Sequence, residues 1–105
     1  MLRGDVYELR PPRGTGHEQD GRRYGVVVQS DAFLPRSVVI VAPTSRSARP
    51  ASFRPEIEVA GDSTRVLVEQ LGAVDAGRLG DLVGHLTREQ LWGVDGSLRL
   101  VLALR

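Results

Sequence analysis

The sequence predicts a mainly β protein: a small, strongly curved, mostly antiparallel sheet or barrel closed by a C-terminal helix. Two observations carry that expectation. Short β-branched runs separated by breaker-rich turns recur from Val6 to Leu86. After Thr87 the apolar period changes to that of an amphipathic helix. The length of 105 residues argues for a single domain over 1–105. A chain of this size buries roughly 65% of the surface its unfolded form exposes, which suffices for one core without staples.

Gly4 to Leu9 alternates and carries Val6 and Tyr7, a first strand. Pro11 to Arg23 is a long polar loop whose two prolines and three glycines exclude helix and regular strand. Gly25-Val26-Val27-Val28-Gln29 and Val38-Val39-Ile40-Val41-Ala42 read as buried strands, the second stopped by Pro43. Thr44 to Ser52 reads as a second exposed loop. Arg54 to Val59 alternates, with Ile57 and Val59 on one face and Glu56 and Glu58 on the wet one. Gly61-Asp62-Ser63 is turn chemistry. Arg65 to Leu71 and Leu79 to Leu86 are further strands, the last weakened by its interior glycines. Thr87-Arg88-Glu89-Gln90 matches a capping box. Behind it Leu91, Val94, Leu98 and Val101 or Leu102 define a helix over 88–104. Gly93 and Gly96 each cost that helix about 1 kcal/mol relative to Ala, so packing must hold it.

Composition excludes several chemistries. All 14 cations are Arg, and Cys, Lys and Asn are absent. No disulfide, thiol nucleophile or thiolate metal site can form, and no Schiff-base lysine exists. His17 and His85 are too few for zinc unless carboxylates supply the other ligands. A GC-rich codon bias explains the arginines, yet it leaves every cation a planar guanidinium suited to bidentate phosphate contacts. The net charge of +1 provides little bulk steering toward nucleic acid, so phosphate binding requires a local cluster. Met1-Leu2-Arg3-Gly4-Asp5 begins no apolar leader, and no stretch is long enough to span a membrane. The expected compartment is the cytoplasm.

The first loop's Gly14-x-Gly16 leads into a strand, so it is not a dinucleotide fingerprint, which needs a helix N-terminus behind it. His17-Glu18 lacks the second His of a metalloprotease, and no nucleophile elbow is present. What remains is convergence. One loop offers His17, Glu18, Gln19, Arg22 and Arg23; the other offers Thr44, Ser45, Arg46, Ser47 and Arg49. Guanidinium, hydroxyl and acid–base groups together can grip a phosphodiester and stabilise charge on it.

These residues also carry a resemblance. Arg3-Gly4-Asp5-Val6-Tyr7, then Gly16-His17-Glu18-Gln19-Asp20-Gly21-Arg22-Arg23 before a valine strand, resembles the MazF/PemK (Kid) toxin family. Val41-Ala42-Pro43-Thr44-Ser45 with Phe53, Glu69-Gln70, Val74-Asp75 through Arg78-Leu79-Gly80, and Gly84-x-Leu86-Thr87 are similar too, in order over essentially the whole chain. The resemblance implies an SH3-like β-barrel of the CcdB/PemK kind, a homodimer, and a sequence-specific endoribonuclease acting on single-stranded RNA without metal or other cofactor. The substrate's 2′-hydroxyl attacks the adjacent phosphorus, leaving a 2′,3′-cyclic phosphate and a 5′-hydroxyl. By the same resemblance Arg23 stabilises phosphate charge or protonates the leaving oxygen. Thr44 hydrogen-bonds the scissile phosphate with Ser45 beside it, and Glu18 and His17 contact RNA or assist proton transfer. Gln19, Arg46, Arg49, Glu69 and Gln70 join them as substrate-binding candidates. The implied partner is a MazE-like antitoxin whose disordered tail competes for the RNA groove.

Three departures stand out. Tyr24 follows Arg23 where the family usually has Pro. Glu69-Gln70-Leu71-Gly72-Ala73 replaces Asp-Gln-x-Arg-Thr, so an Arg and a Thr are gone. Leu67 occupies the place of an Arg that takes part in catalysis in the PemK-like branch, with Arg65 as a substitute on the same strand. These losses motivate an alternative function: a non-catalytic binding toxin or regulator on the same barrel, like the gyrase poison CcdB. Simpler readings also exist for single residues. Glu18 can pair with Arg22 or Arg23; His85 reads as structural, Phe53 as core, and Trp92 as core or dimer packing.

Overall fold

The valine runs of the sequence become the central strands of a half-barrel. The computed structural model describes residues 1–11 and 23–105. Within them lie β1 (Asp5–Leu9), β2 (Tyr24–Val27), β3 (Val38–Ser45), β4 (Glu56–Val59), β5 (Asp62–Val66), β6 (Gly72–Asp75), β7 (Leu79–His85) and one helix, α1 (Arg88–Leu102). Single 3-10 turns occupy Asp31–Phe33, Val68–Gln70 and Ala76–Arg78. The strands pair in the order β4-β5-β3-β2-β1-β7, with β6 added beside β3. Every described pairing is antiparallel. The expected mainly β, curved, helix-closed architecture is the one found.

Both faces of β2 are covered, which is why its sequence runs apolar rather than alternates. β3, expected to be buried, buries Val39, Val41 and Ala42 but leaves Val38 and Ile40 exposed where it runs beyond its pairing with β2. On one face Val6, Tyr24, Val26, Val28, Ala42, Val66 and Val68 pack under α1, which contributes Val94. On the other, Val27, Val39 and Val41 pack with Tyr7, Leu34, Val74 and Leu79. β4 behaves as its alternation predicts, burying Ile57 and Val59 and exposing Glu56 and Glu58. The helix stripe Leu91, Val94, Leu98 and Val101 faces the core as expected. Its capping box forms in full: Gln90 N–H donates to Thr87 Oγ1, and Thr87 N–H donates to Gln90 Oε1.

Three local expectations are corrected, and one strand had no counterpart among them. Thr44 and Ser45 belong to β3 rather than to a loop, because Pro43 does not stop that strand. Pro43 lies between the part of β3 paired with β6 (Val38–Val41) and the part paired with β5 (Thr44 and Ser45), where no ladder needs its missing N–H. The reversal between β4 and β5 is made by Ala60 and Gly61, both at positive φ (51° and 84°), so Asp62 and Ser63 already lie in β5. The strand expected over Arg65 to Leu71 ends at Val66 and gives way to the 3-10 turn. β6 had no signal of its own: Gly72-Ala73-Val74-Asp75 is too short, and only its pairing with β3 makes it a strand. Among the described residues no helix is long and apolar enough to cross a membrane.

A two-residue hairpin with both central residues at positive φ favours Asn-Gly, and alanine there carries a left-handed penalty of roughly 1 kcal/mol. Ala60→Asn is therefore expected to raise the thermal midpoint by several degrees. A lowered midpoint in a melting experiment would contradict this account of the turn.

Candidate active site

β1 and β3 end, and β2 and β7 begin, at the same edge of the sheet. Arg23 sits there, immediately before β2. Its carbonyl accepts from the Leu9 N–H at 3.0 Å. The next N–H, that of Tyr24, donates to Thr44 Oγ1 at 3.1 Å. The backbone at Arg23 is thus held from β1 on one side and β3 on the other, while the residue itself is exposed. Thr44 is only 1% exposed. Its Oγ1 accepts from Tyr24 and keeps an O–H to donate. The arrangement fixes the backbone that carries one permanent cation at a strand end next to the one that carries a hydroxyl, residue types suited to stabilising charge on a phosphodiester.

Neighbouring groups extend this edge. Ser45 follows Thr44, with its hydroxyl 3.3 Å from that of Ser47. Arg46 is drawn to Asp62 at 3.7 Å, and Arg49 is exposed. The 3-10 turn carrying Glu69 and Gln70 hangs from β3, since the Leu67 N–H donates to the Pro43 carbonyl at 2.8 Å. Gln70 is exposed and Glu69 half-buried. The candidates His17, Glu18 and Gln19, and Arg22 beside them, lie outside the described residues.

Sequence reasoning missed Arg54. Its Nε and Nη2 both donate to Glu69 Oε2, at 3.0 and 2.8 Å, and its Nη1 donates to the Arg49 carbonyl at 3.1 Å. The guanidinium also lies 5.5 Å from the centre of the Phe53 ring, within cation–π range. Arg65, the expected substitute for the lost strand arginine, instead reaches Glu56 at 3.8 Å and the Arg54 carbonyl at 3.5 Å. The cation on Glu69 therefore comes from the loop between β3 and β4. No local pattern marks it, because Arg54 and Glu69 lie fifteen residues apart and meet only through the fold. Glu69 Oε1 is buried and has no hydrogen-bond partner among the described residues.

The simpler readings divide. His85 is structural, closing the end of β7 with Nδ1 2.7 Å from Asp5 Oδ1. Phe53 is half-buried as the platform under Arg54. Trp92 is 63% exposed, so it is no part of this protomer's core: it lies on the α1 face opposite the buried stripe.

Comparison with known proteins now decides the family. The profile of PemK-like, MazF-like toxins of type II toxin–antitoxin systems matches residues 2–102. The chain belongs to this family. A Mycobacterium tuberculosis protein named as a toxin is 45% identical over 106 residues, covering 99% of both chains. Endoribonuclease EndoA of Bacillus subtilis is 34% identical over 112 residues, covering 99% of this chain and 96% of its own. Among solved structures, a MazE–MazF complex from Deinococcus radiodurans superposes with a TM-score of 0.81 at 23% identity, covering 100% and 97% of the chains. A mycobacterial endoribonuclease bound to its cognate antitoxin superposes at 0.80 with 19% identity, covering 100% and 97%. This PemK/MazF-type toxin thus has the family's half-barrel, with Glu69 secured by Arg54.

Two outcomes follow. Thr44→Val removes the acceptor of a buried N–H and should cost roughly 1–3 kcal/mol in urea denaturation, whereas Thr44→Ser retains most of that stability. In a double-mutant cycle, Arg54→Gln and Glu69→Gln should couple by about 1 kcal/mol. Strict additivity would show that the ion pair contributes nothing.

Proposed function

We propose that this toxin is a metal-independent endoribonuclease that cuts single-stranded RNA at preferred sequences. The observation that carries the reading is the clamp on Arg23, with its carbonyl on Leu9 and the next N–H on Thr44. The substrate supplies the nucleophile. Its 2′-oxygen forms a bond to phosphorus as the P–O5′ bond breaks; the 2′-hydroxyl proton leaves, and the 5′-oxygen takes one up. Charge builds on the phosphoryl oxygens, and a guanidinium carried on a backbone held in advance lowers that barrier. Arg23 stabilises this charge, while Thr44 both fixes the Arg23 backbone and has a hydroxyl proton to donate. Glu18 and His17 are the candidates for moving the protons. Ser45, Arg46, Arg49 and Gln70 line the route of the RNA, with Gln19 in the first loop.

Support comes from the relative named Endoribonuclease EndoA, which favours a nuclease over a gyrase-binding toxin on the same barrel. The partners follow the same line. Structural neighbours are titled as complexes with MazE or with a cognate antitoxin, and the reading assigns this chain an antitoxin with a disordered tail. It further assigns one domain, a homodimer and a cytoplasmic site of action.

Arg23→Ala should reduce cleavage about 10²–10³-fold, the loss expected for one charge-stabilising donor. Cleavage of a long transcript by the purified toxin should persist in EDTA and leave 2′,3′-cyclic phosphate and 5′-hydroxyl ends. Loss of cleavage in EDTA, or full activity in the Arg23→Ala variant, would refute the mechanism.

A further inference from the structure

The sheet edge that presents Arg23 brings two more arginines beside it, on strands the site has not used. The Leu9 N–H bonds the Arg23 carbonyl at 3.0 Å, and the following N–H, that of Arg10, bonds the Arg78 carbonyl at 2.8 Å. Arg10 and Arg78 are therefore opposite one another at the ends of β1 and β7, and Arg23, opposite Leu9, stands before β2 on the next strand, neighbouring strands lying roughly 4.8 Å apart in the pairing direction. Thr44 stands on the other side of Arg23, at the end of β3. We propose that Arg10 and Arg78 form a second phosphate-binding subsite, so that a single-stranded RNA backbone crosses the strand ends from Thr44 on β3 toward β7.

Two features hold the pair in place. Arg78 Nε donates to the Arg10 carbonyl at 2.8 Å, fixing the direction of its guanidinium. Arg10 lies across Gly80, where an added Cβ would stand 3.4 Å from Arg10 Nε. A side chain at Gly80 would crowd Arg10. Glu8 shares that space, with Oε1 3.2 Å from the same point, and supplies one negative charge against the three cations.

Ion pairing separates these arginines from most of the others near the site. Arg46 faces Asp62, Arg54 faces Glu69, Arg65 faces Glu56, and Arg3 is paired with Asp95 on α1. Among the described residues none of Arg10, Arg23 and Arg78 is in an ion pair. Arg10 and Arg78 are opposite one another and carry like charges on one side of the β1–β7 pairing, and a polyanion running along them relieves their repulsion. Because the whole chain carries only +1, such a pair is a local concentration rather than the average of the surface.

The subsite rests on the endoribonuclease reading, and one experiment separates the two. Binding of a short fluorescent 2′-O-methyl RNA pool, which cannot be cleaved, is measured by anisotropy across a salt series. Arg10→Gln should weaken binding severalfold at low salt and flatten the log K against log salt slope by about 0.7, one phosphate contact on a single strand. Adding Arg78→Gln should roughly double that change. In cleavage of a long transcript the loss should appear in KM rather than kcat. Melting curves check that both variants fold; the Arg10 side chain makes no hydrogen bond to other described residues, so its variant is the decisive one. Arg99→Gln on the exposed face of α1 should leave the slope as in the wild type. Unchanged slopes in both edge variants, or an equal change from Arg99→Gln, would overturn the subsite while leaving the nuclease intact. A wild-type protein that neither binds the pool nor cuts the transcript would overturn the nuclease reading itself.

Discussion

The site depends on the hydrogen bond from the Tyr24 N–H to Thr44 Oγ1. Thr44 commits its backbone to one neighbour, opposite Val66 of β5, and its side chain to another, β2. The registered β2–β3 pairs end at Gly25 and Pro43, one position short of Tyr24. A ladder that stopped there would leave the start of β2, and Arg23 with it, held from β1 alone. A threonine hydroxyl replaces the missing carbonyl and continues the pairing for one more residue. Because that bond is buried, leaving it unmade would cost roughly 1–3 kcal/mol, enough to keep the strand end closed.

The arginines divide by what holds them rather than by where they occur in the sequence. Arg3 is structural: it reaches Asp95 on α1 at 2.8 Å and bonds the Val28 carbonyl through Nε, tying the N-terminal segment to helix and sheet. Arg54 and Arg65 organise the loop ahead of β4. The absence of Lys from the chain does not account for this division. A guanidinium supplies several donors in a fixed fork, so Arg54 can hold a carboxylate and a carbonyl at once where an ammonium would be a single point charge.

Much of this was legible in the sequence because its signals are local. The capping box, the helix stripe and the alternation of β4 all follow from spacing, and each is found. Arg23 and Thr44 are singled out by the family resemblance of the segments around them, not by spacing. What escaped depends on pairing between distant segments. β6 is a strand only because β3 continues past β2, and Pro43 is tolerated only because β3 changes partners there. Trp92, read as core or dimer packing, is not in this protomer's core: its offset from Leu91 places it on the opposite side of α1.

The Arg54–Glu69 pair shows how the carboxylate is neutralised with leucine at position 67. Val66, Leu67 and Val68 are all buried, so a guanidinium at position 67 would have to be taken out of water. With leucine there, the end of β5 can be apolar throughout, and the cation for the carboxylate must arrive from elsewhere. Arg54 arrives from the opposite side, and glutamate, one methylene longer than aspartate, extends to meet it. The result differs mechanically from an arginine on the same strand. Arg54 also grips the Arg49 carbonyl, so the loop that carries Arg46 and Arg49 and the turn that carries Glu69 are joined through one side chain. Movement of that loop would pull on the carboxylate. In this chain the loop carrying Arg46 and Arg49 and the acidic turn are therefore joined as one unit, and a substitution at position 54 reaches both.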